Sequence, residues 1–124
     1  MFLRNNMNIL WKDPESCVEI IKKGDFFISE SNKKYRILNK IPRFVNKKNY
    51  TNAFGIQWNY FKKTQLDSYS KFPLSEQRLK RCLGKDLFLN LKGKLVLEAG
   101  CGAGRFTEIL LDNNAGVVSI DMSN

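Results

Sequence analysis

Glycines at positions 100, 102 and 104 stand between an apolar run, Leu95-Val96-Leu97, and a stretch of helical spacing that begins at Arg105. Open parallel sheets bind their ligands at such places, at the carboxyl end of a strand and the start of a helix. Glycine allows backbone angles there that other residues reach only with strain, and it carries no side chain to hold a ligand away. The start of the following helix also offers N–H groups and a positive dipole end. Two acids flank the loop. Glu98 closes the first apolar run, and Asp121 closes a second one, Val117-Val118-Ser119-Ile120. A carboxylate at the second position can accept both hydroxyls of a ribose. Negative charge beside the loop suits a ligand bearing an ammonium and a sulfonium, and it opposes a pyrophosphate.

The elements that must position these residues follow from the pattern around them. Leu95-Val96-Leu97 reads as a strand buried on both faces. Arg105 to Asn113 reads as a helix with Phe106, Ile109 and Leu110 on one side, and Asn113-Asn114-Ala115-Gly116 as its stop. Val117 to Asp121 reads as a second buried strand. Strand, glycine loop, helix and strand make one right-handed crossover unit of a parallel sheet. The loop spacing is Gly-x-Gly-x-Gly, whereas a dinucleotide loop reads Gly-x-Gly-x-x-Gly. That difference weighs against a nicotinamide-dependent oxidoreductase. A tight turn in some other α/β fold remains as an alternative reading of the glycines.

The segment Leu95-Val96-Leu97-Glu98-Ala99-Gly100-Cys101-Gly102-Ala103-Gly104-Arg105-Phe106-Thr107 resembles the first motif of class I S-adenosylmethionine-dependent methyltransferases, and Val118-Ser119-Ile120-Asp121-Met122-Ser123 resembles their second. The resemblance implies an α/β fold, the start of a Rossmann-like parallel sheet, with S-adenosyl-L-methionine as cofactor. It implies that Glu98, Gly100, Cys101, Gly102 and Gly104 surround the methionine part, with Cys101 acting through its backbone. It implies that Asp121 holds the ribose and that Met122 lies near the adenine. The implied activity is methyl transfer to a small-molecule, lipid or sugar acceptor. RNA or protein acceptors, or a non-catalytic cofactor-binding or regulatory module, are the alternatives. The resembling fold has about seven strands, and the sequence stops at Asn124, just after the second. The expectation is therefore an N-terminal piece of a longer protein, inactive as a methyltransferase by itself, in which no catalytic base can be named.

Upstream, the expected divisions are a small β-rich segment over 1–48, a helical lead-in over 49–91 and the crossover unit over 92–124. Phe26-Phe27-Ile28 and Tyr35-Arg36-Ile37-Leu38 are strand-like runs on either side of a polar turn. Pro42 favours extended chain in Ile41-Pro42-Arg43-Phe44-Val45. Tyr35 to Phe44 is similar to the end of a zinc-ribbon-like segment, but a zinc site needs about four thiolates or imidazoles. Only Cys17 lies in that area, so the expectation is a degenerate, metal-free remnant with Cys17 a small buried residue. In the lead-in, Phe54, Trp58, Phe61 and Gln65-Leu66 fall near a helical stripe. Phe54 to Phe61 and Thr64 to Ser68 are similar to helices that cover the cofactor in some bacterial methyltransferases of this class. By that likeness Gln57, Trp58 or Gln65 would touch ligand, while ordinary aromatic packing is the simpler role for Trp58. Ser75 is the expected N-cap of a helix that runs through Leu79, Cys82 and Leu83 and ends at Gly84, with Cys82 in the core.

Composition removes several classes of function. The chain of 124 residues contains no histidine, which excludes serine–histidine and cysteine–histidine catalysis and histidine metal sites within it. Three scattered cysteines form no disulfide framework, and a reducing cytoplasm is the simplest location. No apolar run reaches the roughly 18 residues of a membrane span, and the first residues do not pattern as a signal peptide. The net charge of +9 suits an anionic partner such as RNA. The lysine pairs are spread along the first two thirds of the chain, a pattern that a solvated surface explains equally well.

Overall fold

The computed structural model describes residues 9–45, 56, 60–61 and 63–122. The fold is mixed α/β, with one four-stranded antiparallel sheet and one two-stranded parallel sheet. These belong to two separate units, one within Asn6–Asn49 and the other within Tyr50–Asn124.

The first unit is a meander of short strands, β1 (Ile21–Lys23), β2 (Phe26–Ile28), β3 (Lys34–Leu38) and β4 (Ile41–Pro42). Two of its connections are two-residue turns, Gly24-Asp25 and Asn39-Lys40. Such tight turns need positive φ, which Gly24, Asn39 and Lys40 all supply. Alternation along the strands sends Phe27, Tyr35 and Ile37 to one face. There they meet Ile20, Trp11 and Phe44 in a small aromatic core. The Trp11 ring lies 5.5 Å from Phe27 and 5.8 Å from Phe44, and Tyr35 lies 5.0 Å from Phe44. The Tyr35 hydroxyl donates to Asp13 Oδ1 at 2.8 Å, which gives a buried carboxylate a partner. The segment similar to a zinc ribbon thus forms a β-meander, and no cluster of metal-ligating side chains occurs among the described residues. Cys17 departs from its expected burial. It is exposed, in a turn with φ 58°, because the Lys12–Glu19 bridge closes the chain tightly around it.

Among the described residues of the second unit, three short helices precede the sheet: α1 (Asp67–Ser70), α2 (Leu74–Leu83) and α3 (Lys85–Leu89). Then come β5 (Leu95–Ala99), α4 (Arg105–Asp112) and β6 (Gly116–Ile120), with β5 and β6 parallel and paired from Leu95–Gly116 to Ala99–Ile120. The core joins Phe88 and Leu91 to Ile109, Leu110, Ala115 and Val117, with Leu79, Leu83 and Val96 packed against it. All the helices in that cluster lie over one face of the sheet, the face that also carries Val96 and Val117. The expected burial of β5 on both faces is therefore not found. Leu95 and Leu97 alternate away from that core and stay 63% and 65% exposed, and Ile120 is 50% exposed.

Three further expectations differ from the structure. Ser75 is not the N-cap of α2; Pro73 holds that position, and Ser75 sits inside the first turn, 1% exposed. The cap comes from Asp67, whose two carboxylate oxygens accept the N–H groups of Ser75 and Glu76, each at 2.9 Å. Cys82 lies on the exposed side of α2, since the inward stripe is taken by Leu79 and Leu83. Gln65-Leu66 forms part of a turn before α1 and does not continue a helix. Phe54, Gln57 and Trp58 lie outside the described residues. No helix among the described residues is long and apolar enough to cross a membrane.

Candidate functional site

The parallel pairing of β5 with β6 brings the ends of both strands to one edge of the second unit. Gly100, Cys101 and Gly102 loop back over that edge. The N–H groups of Gly100 and Cys101 donate to the Ile120 carbonyl at 2.8 and 3.1 Å, and the Gly104 N–H donates to the Cys101 carbonyl at 2.9 Å. Gly100, Gly102 and Gly104 have φ of 74°, 52° and 87°, the left-handed region in which a side chain is strained. A Cβ at Gly100 would meet no atom within 4 Å, so the space over this part of the loop is open.

Both flanking acids address the loop and its helix. Asp121 Oδ2 accepts the Gly102 N–H at 2.7 Å. Glu98 Oε2 accepts the Thr107 hydroxyl of α4, and the Ser119 hydroxyl of β6 at 3.1 Å. Thr107 and Ser119 are themselves 3.2 Å apart. Register explains the trio. Glu98 pairs with Ser119, so the two side chains leave the same face of the sheet, the one that α4 covers. Cys101 lies between the two acids. Burial pushes its thiol up from the ordinary value, and the negative charges of Glu98 and Asp121 push in the same direction.

The residues singled out by spacing, Glu98, Gly100, Cys101, Gly102, Gly104 and Asp121, thus fall in one neighbourhood. Met122 follows Asp121 and is 44% exposed. Gln65 offers its carbonyl to the Ser75 hydroxyl at 3.3 Å, a contact within the lead-in. Three partners of the site were not apparent from residue types. Thr107 and Ser119 are ordinary residues of a helix and a strand, and only the register shows that they converge on Glu98. The third is the α1 region. Its Ser68 N–H donates to Glu108 Oε2 at 3.3 Å, and the positive charge of Arg105 helps hold the Asp67 carboxyl down. The first turn of α4 is therefore tied to the lead-in, and the Arg105 guanidinium lies 4.8 Å over the Phe106 ring.

The hydrogen bonds decide which ligand charge the loop suits. Four loop N–H groups, from Gly100, Cys101, Gly102 and Gly104, are already used inside the protein. A pyrophosphate cradle needs such groups aimed outward. Two carboxylates on neighbouring strand tips give a local negative potential instead, which favours a cation. No family model, curated protein or solved structure matches the chain.

Proposed function

We propose that the loop of the second unit is a half-site for S-adenosyl-L-methionine, and that the chain is part of a class I methyltransferase acting on a small-molecule, lipid or sugar acceptor. The observation that carries this reading is the pair of acids on adjacent parallel strand tips, bracketing a glycine loop whose N–H groups are turned inward. The residues fit the cofactor. Glu98 and Asp121 supply negative charge for its ammonium and sulfonium. Gly100 to Gly104 leave room for close approach of the methionine part. Asp121 accepts ribose hydroxyls, and Met122 offers an apolar surface to the adenine.

When bound, the cofactor supplies an electrophilic methyl group for in-line attack by an acceptor atom. The contribution of this chain is alignment and charge screening. Thr107 and Ser119 hold the Glu98 carboxylate in one orientation, and the bond from Gly102 does the same for Asp121. The role proposed for this unit is to bind and orient the cofactor.

Calorimetric titration of the chain with S-adenosyl-L-methionine tests the reading. Binding is expected, and Asp121→Ala should weaken it by about 10- to 150-fold, corresponding to about 1.5–3 kcal/mol for hydrogen bonds to a charged group. NADH should not compete. Equal titration curves for Asp121→Ala and the parent chain would remove the ribose assignment.

A further inference from the structure

The meander of the first unit has a second face, opposite its aromatic core, that the methyltransferase reading does not use. Strand register assigns each residue to a side, because directly paired residues project to the same face. The core face takes Lys22, Phe27 and Tyr35 in one row. The opposite face takes Lys23, Phe26 and Arg36 in one row, and Ile21, Ile28 and Lys34 in the next. Leu38 and Ile41 make its third row. Arg43 extends the middle row. Its N–H donates to the Arg36 carbonyl at 2.9 Å, which continues the register set by Leu38–Ile41 and Ile37–Pro42.

The line Lys23, Phe26, Arg36, Arg43 thus crosses this face from one edge of the sheet to the other. Lys23 and Arg36 are exposed, and the ring between them is 37% exposed. None of the strand residues on this face is acidic. Asp25, in the turn between Lys23 and Phe26, lines a groove on the core face with Trp11 and Phe27. Glu19 and Glu30 lie at the far end, beyond Ile21 and Ile28, and Glu19 stands across a bridge from Lys12. Arg36 and Arg43 are direct cross-strand neighbours, and like charges so placed destabilise a sheet. An anion lying over the row relieves that cost.

We infer that this face of the meander binds single-stranded nucleic acid across the row, with a base stacked on Phe26 and the backbone phosphates on Lys23, Arg36 and Arg43. The arrangement suits that chemistry on two counts. The ring presents a π surface at the centre of an open sheet, where unpaired bases stack without regard to sequence. Cations stand on both sides of it, each nearest one a single strand spacing of about 4.8 Å away, so the phosphates that flank a stacked base meet positive charge in both directions. A duplex has no free base for the ring. An acidic peptide uses the cations but not the ring. Exposed Ile21 and Ile41 lie at opposite corners with the charged row between them, which leaves a bilayer no single apolar patch to bury. The inference is independent of what the glycine loop binds.

The test is fluorescence anisotropy of the full chain with a labelled single-stranded RNA of about 10 nucleotides, a length within the usual site size, measured without S-adenosyl-L-methionine at several salt concentrations. Lys23→Gln and Arg36→Gln change exposed side chains and leave the core untouched. Each should weaken binding by about 3- to 10-fold and reduce the salt slope by about 0.7, the loss of one phosphate contact. Phe26→Leu keeps an apolar residue in β2. It should weaken binding by about 5-fold or more while leaving the salt slope unchanged, because stacking releases no counterion. Lys22→Gln removes the same charge from the same strand on the core face, and it should leave both affinity and slope as they are. Circular dichroism confirms that each variant is folded. A duplex of the same length should bind more weakly than the single strand. The inference fails if Lys23→Gln and Arg36→Gln leave the curve and its slope unaltered, or if Lys22→Gln weakens binding as much as they do. Equal affinity for the duplex would remove the stacking on Phe26. Sedimentation of the chain with phosphatidylserine vesicles, without binding of RNA, would assign the face to a membrane instead.

Discussion

Both units tie an acid to a hydroxyl, but with opposite results. In the first, Asp13 is buried beneath the sheet, and Tyr35 and the Glu15 N–H close around it. In the second, Glu98 and Asp121 are half-buried at strand tips beside an open loop. The difference follows from topology. Hairpins with two-residue turns fold a meander back on itself, and the chain ends supply Trp11 and Phe44 to cover it. A parallel pair needs a long crossover, and its loops collect at one edge, where bound polar groups stay accessible. An acid in the meander fastens a core, and an acid at the parallel edge holds a loop or a helix beside open space.

The largest effect should come from the core of the second unit. Phe88→Ala removes a ring that is 4% exposed at the centre of its apolar cluster. A loss of about 3–5 kcal/mol is expected in denaturant titration. If the loss is under about 1 kcal/mol, the helices are not what holds the parallel pair. Asp67→Ala should cost less, about 1–2 kcal/mol, because two first-turn N–H groups of α2 lose their acceptor. Asp67→Asn should recover part of that loss in the same measurement.

Acid and alkali separate the units further. The Asp13 carboxyl is held below the usual range by the Glu15 N–H and the Tyr35 hydroxyl. Burial pushes Asp67 up, but the N–H groups of Glu76 and Ser75 outweigh it, and the net direction is down. Carboxyls depressed by folding stabilise above their unfolded pKa, near 4, and lose that contribution as pH falls through the folded value. Burial, together with the bond to Asp13, pushes Tyr35 up. Its contribution is complete below the unfolded value near 10 and is lost as pH rises through the folded one. Lys33, raised by its bond to Glu15, acts in the same direction. The melting temperature should therefore be flat between about pH 5 and 9 and fall on both sides. Tyr35→Phe should make the alkaline fall shallower. An unchanged alkaline limb would mean that the Tyr35–Asp13 bond contributes little. The smallest effect is chemical. At pH 8 a thiol reagent should label exposed Cys17 and Cys82 before Cys101, whose thiolate two acids disfavour. First labelling at Cys101 would contradict the negative potential assigned to the loop.

Sequence patterns disclosed some of these elements and hid others for physical reasons. The strand–loop–helix–strand order of Leu95 to Asp121 was legible because glycine spacing, apolar runs and strand-end acids agree with one another. Strands β2 and β3 were legible from their aromatic and β-branched residues, and β4 as extended chain fixed by Pro42. Strand β1 was not, since Ile21-Lys22-Lys23 is exposed throughout and carries no apolar alternation. Leu95 and Leu97 look like core residues by type, but burial depends on what packs against a face, which local sequence does not encode. Ser75 is a good capping residue by type, yet the acceptor came from Asp67, eight residues away. Cys17 and Cys82 are of a residue type that is usually buried, and here a tight turn and an outward helix face decide otherwise.

The Glu98–Ser119–Thr107 trio has a consequence for how the strands find each other. Sliding β6 by one position would set Glu98 against Val118 or Ile120 and turn every side chain of the strand to the opposite side. The carboxylate would then lie against the helix without the Ser119 hydroxyl, one of its two donors, and a partly buried acceptor that loses a partner is destabilised. The same three side chains that steady one edge of the glycine loop therefore act as a key for strand alignment, rejecting mispaired chains while the sheet assembles.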